Sequence, residues 1–319
     1  MDRKERRATR HGTPADASVD AAARAVKARR GKRLRVILMA VFGAVFLFSA
    51  GMLVYTMLQY RASAKFYEET ADQYTAPAPQ SRGSSGSRSS SGGDAGQDAG
   101  QGQSGADGAS DLDTAPIVVT FEALQALNSD IIGWIYCEGT PINYPILQAG
   151  DNNKYLHNNY DGTYNGAGSI FVDAANRWDF VDANTILYGH HMKDGSMFAS
   201  LENWQNPVFA ADHPELWILT PQQDYRVVLI SGYTTSAFSN TYTVIPAPGE
   251  YLDEYIETIL QYSDFTPAEI PETDKYVLLS TCAYVFANAR YVVHGAMIPA
   301  DSAGGVPIAP SGADAGAQN

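Results

Sequence analysis

The most constraining feature of this chain is a run of 23 residues, 36–58, that contains no charged side chain. As a helix that rises about 1.5 Å per residue, this run spans roughly the 30 Å hydrocarbon core of a bilayer. Basic side chains crowd positions 29–35 just before it, whereas Glu68 and Glu69 follow it. Because basic residues normally flank the cytoplasmic end of a span, residues 36–58 are predicted to form one transmembrane helix with a cytoplasmic N-terminus.

The basic segment at residues 1–35 holds 12 of the 22 Lys and Arg but only 4 of the 35 Asp and Glu. A basic arm can bind nucleic acid, but this one lacks interleaved aromatic residues and leads directly into the apolar run. We therefore expect a cytoplasmic segment and no nucleic-acid partner. A cleaved signal peptide is the alternative to an anchor, since Ala62-Ser63-Ala64 has the small-x-small form, although the apolar run exceeds the usual ~7–15 residues.

Low-complexity sequence separates the apolar run from the rest of the chain. Residues 76–112 are dominated by Gly, Ser, Asp, Ala and Gln, and the tail at 301–319 has a similar composition. Such stretches cannot bury enough apolar surface to offset the entropy of ordering. The sequence therefore predicts an extracellular flexible linker at 59–113, a folded domain at 114–300 and a disordered tail.

The predicted domain is mainly β. Short runs rich in β-branched and aromatic residues are separated by Gly, Asn, Asp and Pro, a pattern typical of a closed or nearly closed barrel. Residues 120–127 predict a short first helix, and residues 250–263 place apolar side chains on one helical face before the last strands. The runs are GWIYCEG, INYPILQ, GSIFVDA, NTILYGH, LWILT, YRVVLISGY, KYVLLSTC and ARYVVHGAMI.

Three side chains at predicted strand ends form a candidate catalytic set. Cys282 ends one strand, His190 follows Gly189 at the end of another, and Arg290 begins the strand after Cys282. A thiol needs a partner such as an imidazole to become a nucleophilic thiolate, and a fixed guanidinium can stabilise the oxyanion that follows attack on a carbonyl. The alternatives are a buried cysteine, a histidine with a surface or core role, and an arginine in a surface ion pair.

Other chemistries have weaker support. His190 and His191 are adjacent, but neighbours on a strand point to opposite faces and no further ligands complete a metal site, so no metal or cofactor is expected. There is no GxSxG elbow, phosphate-binding glycine loop or HExxH sequence, which argues against serine hydrolases, nucleotide enzymes and zinc proteases. Cys137 and Cys282 are the only two cysteines, so one disulfide is the alternative to a free nucleophile.

The ordered set of motifs resembles the class B sortases over residues 118–298. The carrying strings are LYGHHMKDGSMF (187–198), LSTC (279–282) and RYVV (290–293), with GWIY, INYPILQ and GSIFVD earlier in the chain. The helix at 250–263 resembles the one that class B members carry before the cysteine strand. One departure is Ala283-Tyr284 directly after the cysteine, where related enzymes can carry acidic residues.

The resemblance implies an eight-stranded barrel and a membrane-anchored cysteine transpeptidase. Such an enzyme cleaves the C-terminal sorting signal of a secreted protein and holds the acyl group on Cys282. It then passes the group to an amine of a peptidoglycan precursor or pilin subunit outside the cell. His190 would be the acid and base, and Arg290 would hold the oxyanion. The substrate-binding positions implied by alignment are Asn152, Leu156, Tyr242 and Ser280.

Two alternatives stay open on sequence grounds. A membrane-tethered cysteine peptidase would form the same acyl-enzyme and resolve it with water. A non-catalytic adhesin or scaffold would instead join Cys137 to Cys282 in a disulfide, which an extracellular location permits.

Overall fold

The computed structural model describes residues 14–79 and 114–301. The chain divides into two compact units, Met1–Gln59 and Tyr60–Asn319. Helix α1 (Pro14–Tyr74) contains the apolar run, and its segment Arg35–Tyr74 is, among the described residues, the one helix long and apolar enough to cross a membrane. No side chain in the most apolar window of that segment is buried. The helix therefore fits the single membrane anchor predicted from the sequence.

The described residues of the second unit form ten short or medium strands. β1 and β2 pair as a two-stranded sheet, and the remaining strands close into a barrel in the order β10–β8–β7–β3–β4–β5–β6–β9. Each apolar run identified in the sequence forms one barrel strand, which confirms the predicted mainly β, eight-stranded fold. The strands are β1 (Thr75–Pro77), β2 (Ile117–Val119), β3 (Ile131–Tyr136), β4 (Asn143–Leu147), β5 (Ile170–Val172), β6 (Asn184–Tyr188), β7 (Glu215–Leu219), β8 (Asp224–Ser236), β9 (Tyr276–Cys282) and β10 (Ala289–Ala300).

Strand β9 is buried on both faces before it reaches Cys282. Leu278 and Leu279 in β9 are both almost fully buried but belong to different apolar clusters. Successive strand residues point to opposite faces, so β9 packs against two layers at once. This explains why the sequence before Cys282 is a continuous apolar run rather than an alternating one.

Three shorter α-helices and two 3-10 helices, Ala199–Gln205 and Asn240–Tyr242, complete the described part of the unit. α2 (Phe121–Leu127) and α4 (Glu250–Tyr262) match the helices predicted from apolar spacing, whereas α3 (Pro207–Asp212) was not predicted. α4 buries Leu252, Tyr255 and Ile259 on one face, against the apolar cluster that also contains Leu278.

The N-terminal boundary of the predicted linker is corrected by the structure. α1 continues to Tyr74, and β1 pairs with β2 so that Pro77 and Ile117 are register partners. The helical segment is packed because its small, hydroxyl and aromatic side chains repeat at helical spacing, which gives it one buried face. That face comprises Ser63, Tyr67, Thr70, Ala71 and Tyr74, with relative exposures of 3–9%. Residues 80–113, 302–319 and the first thirteen residues of the basic segment lie outside the described residues.

Candidate active site

Strand pairing places Cys282 beside Arg290. The two residues are register partners in the antiparallel pair β9–β10, so their side chains lie on the same face with Cα atoms about 4.5–5.5 Å apart. Cys282 is partly exposed and its thiol is free. The loop between the two strands therefore returns the guanidinium to the nucleophile.

His190 reaches the same end of the barrel through a parallel pair. Tyr188 in β6 is the register partner of Ser280 in β9, and Gly189 N–H donates to the Ser280 carbonyl at 3.1 Å. Because parallel strands advance together, His190 comes level with Cys282. Gly189 is required before it, since a Cβ at that position would lie 2.7 Å from the Phe198 ring.

The His190 ring is oriented by a backbone carbonyl. Nε2 lies 2.7 Å from the Leu156 oxygen. A carbonyl can only accept a hydrogen bond, so Nε2 carries the proton and Nδ1 of the neutral ring is left to accept one. His157 stacks on the same ring with centroids 5.5 Å apart and planes inclined by 18°.

Burial lowers the pKa of His190 below its ordinary value. The neighbouring His157 and Arg290 also lower this pKa, while the hydrogen bond to the Leu156 carbonyl opposes them. Neutral imidazole is consequently favoured near neutral pH, which suits a group that must first accept a proton.

All seven residues predicted as site residues line one cavity of about 290 Å³. The catalytic candidates meet there with the four positions assigned to substrate binding. Its lining also contains residues that the sequence did not single out for the site. The complete lining is Asn152, Leu156, Phe171, Tyr188, Gly189, His190, Ala237, Tyr242, Ser280, Thr281, Cys282 and Arg290.

Hydrogen bonds fix the cavity walls. Tyr242 Oη and Ser280 Oγ are 2.7 Å apart, and the Tyr242 ring stacks on that of Tyr188 at 6.2 Å. Asp173, just behind this lining, accepts from the Tyr188 hydroxyl at 2.8 Å and from the Asn152 amide at 3.0 Å. Burial raises the pKa of Tyr242, so its hydroxyl remains protonated near neutral pH.

The alternative interpretations, in which Cys282 is a buried or disulfide-bonded cysteine and Arg290 belongs to a surface ion pair, do not fit this geometry. None of the ion pairs among the described residues involves Arg290, whose Nη1 donates only to its neighbouring Ala289 carbonyl at 3.0 Å. Cys137 is a separate free thiol, 1% exposed, and burial raises its pKa to about 11. The described part of the chain thus contains no disulfide, and the Arg290 guanidinium is available to a ligand.

Comparison with known proteins identifies the family to which the chain belongs. No family model matches the chain. Two curated relatives named sortase B do match. That of Listeria monocytogenes is 38% identical over 179 residues, covering 55% of this chain and 72% of the relative. That of Staphylococcus aureus is 34% identical over 176 residues, covering 54% and 72%.

The chain belongs to the class B sortases. Solved sortase B structures share the fold. One from Bacillus anthracis has a TM-score of 0.57 and 31% identity, covering 76% of this chain and 99% of its own. A Staphylococcus aureus sortase B–substrate complex has a TM-score of 0.52 and 30% identity, covering 56% and 84%. A sortase B complex with triglycine has a TM-score of 0.52 and 30% identity, covering 56% of this chain and 85% of its own.

Membership identifies the chain as a sortase-type cysteine transpeptidase. The sequence missed several residues that shape the cavity of this sortase, notably Tyr188, Asp173 and His157. Tyr188 stands in the motif before His190 and could have been suspected from that position. Asp173 and His157 reach the site through loop geometry that no local pattern reveals.

Proposed function

We propose that the chain is a membrane-anchored sortase that cleaves C-terminal sorting signals and transfers the acyl group to an amine of a cell-wall precursor or pilin subunit. The observation that carries this proposal is the convergence of Cys282, His190 and Arg290 on one cavity, with the four substrate positions around them. The solved sortase B complexes with a substrate and with triglycine support an acyl donor and an amine acceptor.

Acylation begins when His190 Nδ1 takes the proton of the Cys282 thiol. The sulfur attacks the carbonyl carbon of the scissile peptide bond, forming a C–S bond and a tetrahedral oxyanion. Arg290, free of a carboxylate partner among the described residues, stabilises that negative charge. The C–N bond then breaks, and His190 returns its proton to the leaving amine.

Transfer reverses these steps with a new amine. The incoming amine attacks the thioester carbonyl and gives its proton to His190. The oxyanion forms again beside Arg290, and the C–S bond breaks. Cys282 leaves as a thiolate and recovers its proton from His190, so the enzyme ends as it began.

The apolar run of α1 supports a single-pass anchor. Its large side chains, such as Phe42, Phe46 and Phe48, are each 71% exposed, as expected for a surface that contacts lipid. The excess of basic residues before the run favours a cytoplasmic N-terminus and an extracellular catalytic domain. We place the protein in the cell membrane on these grounds.

Mass spectrometry of the full chain in detergent, mixed with a library of sorting-signal peptides and an amine acceptor, tests the proposal. We expect a thioester adduct on Cys282 that converts to ligated product, and neither species with Cys282→Ala. His190→Ala and Arg290→Ala should strongly reduce both. Equal product from the Cys282→Ala variant would contradict the proposal.

A hydrolytic peptidase is the competing function, because water could resolve the same thioester. Measuring ligated against hydrolysed product at increasing amine concentration separates the two. A transpeptidase should shift to ligated product as the amine rises, whereas a product ratio that stays hydrolytic would favour the peptidase.

A further inference from the structure

The final turns of α1 contact the segment that precedes β5. Asn165 donates to Ser63 Oγ at 2.9 Å, and the rings of Phe66 and Tyr160 lie 5.2 Å apart. Tyr67 lies at the centre of this contact and is only 3% exposed. The helix thus packs on the loop that runs from the substrate-binding positions Asn152 and Leu156 to β5.

Tyr67 anchors one peptide unit of that loop. Its hydroxyl donates to the Gly168 carbonyl at 2.5 Å and lies 2.9 Å from Ser169 Oγ. Ser169 Oγ in turn donates to the Asn158 carbonyl at 2.9 Å. The single proton of the Tyr67 hydroxyl therefore ties the helix to the Gly168 carbonyl, while Ser169 Oγ, whose own proton goes to Asn158, lies against the same hydroxyl.

The same peptide unit supports the carbonyl that orients His190. Ser169 N–H donates to the Tyr155 carbonyl at 3.0 Å. Gly168 has φ +57°, and a Cβ there would lie 2.4 Å from the Leu156 oxygen, so its backbone is packed directly against that carbonyl. The Leu156 oxygen is the acceptor for His190 Nε2 at 2.7 Å.

We propose that Tyr67 is a positioning residue of the transpeptidation reaction. Its hydroxyl fixes the Gly168–Ser169 peptide, which fixes the Leu156 carbonyl and thereby the orientation and tautomer of the His190 ring. The proposal rests on the role given to His190 in the proposed function. Tyr67 acts through this backbone path.

The physical consequence concerns the proton on the His190 ring. The Leu156 carbonyl favours the tautomer with hydrogen on Nε2, which leaves Nδ1 free to exchange protons. If the Gly168–Ser169 peptide shifts, the bond to Leu156 lengthens and the Nδ1–H tautomer becomes populated. That tautomer cannot accept a proton at Nδ1.

A pH effect should accompany this change. The hydrogen bond to the Leu156 carbonyl raises the pKa of His190, whereas burial, His157 on the same loop and Arg290 on β10 lower it. Weakening the hydrogen bond to the Leu156 carbonyl removes the interaction that stabilises the protonated His190 ring, so the pKa of His190 falls. The acid limb of kcat/KM should then move to lower pH.

Full-chain Tyr67→Phe and Tyr74→Phe enzymes in detergent test the inference. Tyr74 is a matched control, because it is also buried in α1 but its hydroxyl has no hydrogen-bond partner among the described residues. We expect Tyr67→Phe to lower kcat/KM for acylation about tenfold, mainly through kcat, as for a slightly misplaced acid–base group. Tyr74→Phe should retain the wild-type kinetics.

The deciding measurement is the tautomer of His190, observed by ¹⁵N NMR of histidine-labelled enzyme with a His190→Gln variant for assignment. In Tyr67→Phe we expect a shift towards Nδ1–H together with the lower acid limb. An unchanged tautomer and pH profile would overturn the proposal, even if the variant melted at a lower temperature, since Tyr67 would then be merely structural.

Ser169→Ala provides a second variant in case Tyr67→Phe does not fold. It removes the hydroxyl that ties the same peptide unit to the Asn158 carbonyl, so it should loosen that peptide and shift the tautomer in the same direction. An unchanged tautomer would show that the position of this peptide does not set the His190 tautomer, which would overturn the proposal. Failure of the proposed function is seen separately as full activity of His190→Ala. The NMR result does not depend on turnover, so the two failures are distinguishable.

Discussion

His157 is expected to shift the acid limb of the pH–rate profile. Its ring stacks on His190, and the electrostatic effect of His157 lowers the His190 pKa. His157→Gln should therefore raise that pKa and move the acid limb of kcat/KM to higher pH, whereas the permanently charged His157→Lys should keep it low. Acylation rates measured between about pH 5 and 8 check this. Identical limbs in both variants would show that the ring has no electrostatic influence.

Arg290 is expected to act on the oxyanion rather than on the thiol. Arg290→Ala should lower the acylation rate about 100-fold or more, because a fixed donor to the developing charge is lost. Alkylation of Cys282 by iodoacetamide forms no oxyanion and should change far less. Arg177→Ala is the control, since that exposed arginine has Asp179 as its one ion-pair partner among the described residues and should retain full activity. Parallel loss of alkylation would point to a damaged nucleophile instead.

At the level of elements, the sequence predicts what local patterns encode. The apolar run before Cys282 and the helical spacing of α4 are visible because burial repeats with the period of each structure. The packing of residues 60–74 is not visible in the sequence, because the buried face of this helical segment mixes Ser63, Tyr67 and Thr70. The residues that it contacts lie about a hundred positions away in the chain. The position of the Leu156 carbonyl was missed for the same reason: tertiary contacts determine it.

The loop before β5 depends on one glycine. Gly168 has φ +57°, and a Cβ would meet the backbone oxygens of Leu156 and Tyr155 at 2.4 and 2.6 Å. Gly168→Ala should therefore destabilise the domain by about 2 kcal/mol or more and reduce acylation. Gly166→Ala is the matched control, since nothing lies within 4 Å of its Cβ position. Urea unfolding and kcat/KM measure both effects; equal stability of the two variants would contradict the packing described here.

At the scale of the whole molecule, the Gly- and Ser-rich segment lies in the chain between β1 and β2, and not between α1 and the unit that contains the barrel. The helical segment from Tyr60 belongs to the same compact unit as the barrel. Ala78 N–H donates to the Pro116 carbonyl at 2.9 Å, so the chain returns to the strand pair from which it departs. The catalytic unit therefore begins near residue 60, and a fragment that starts at residue 114 would lack Tyr67.

Deleting residues 81–112 tests this organisation. Because Pro77 and Ile117 are register partners, the ends can be joined by the short remaining turn. We expect the melting temperature and the acylation and transfer rates with soluble peptides to remain those of the full chain. Replacing the same residues with an unrelated Gly/Ser sequence of equal length is the control. If the deletion alone lost transfer to a lipid-linked acceptor while soluble amines still reacted, the segment would serve substrate access and not merely connect two paired strands.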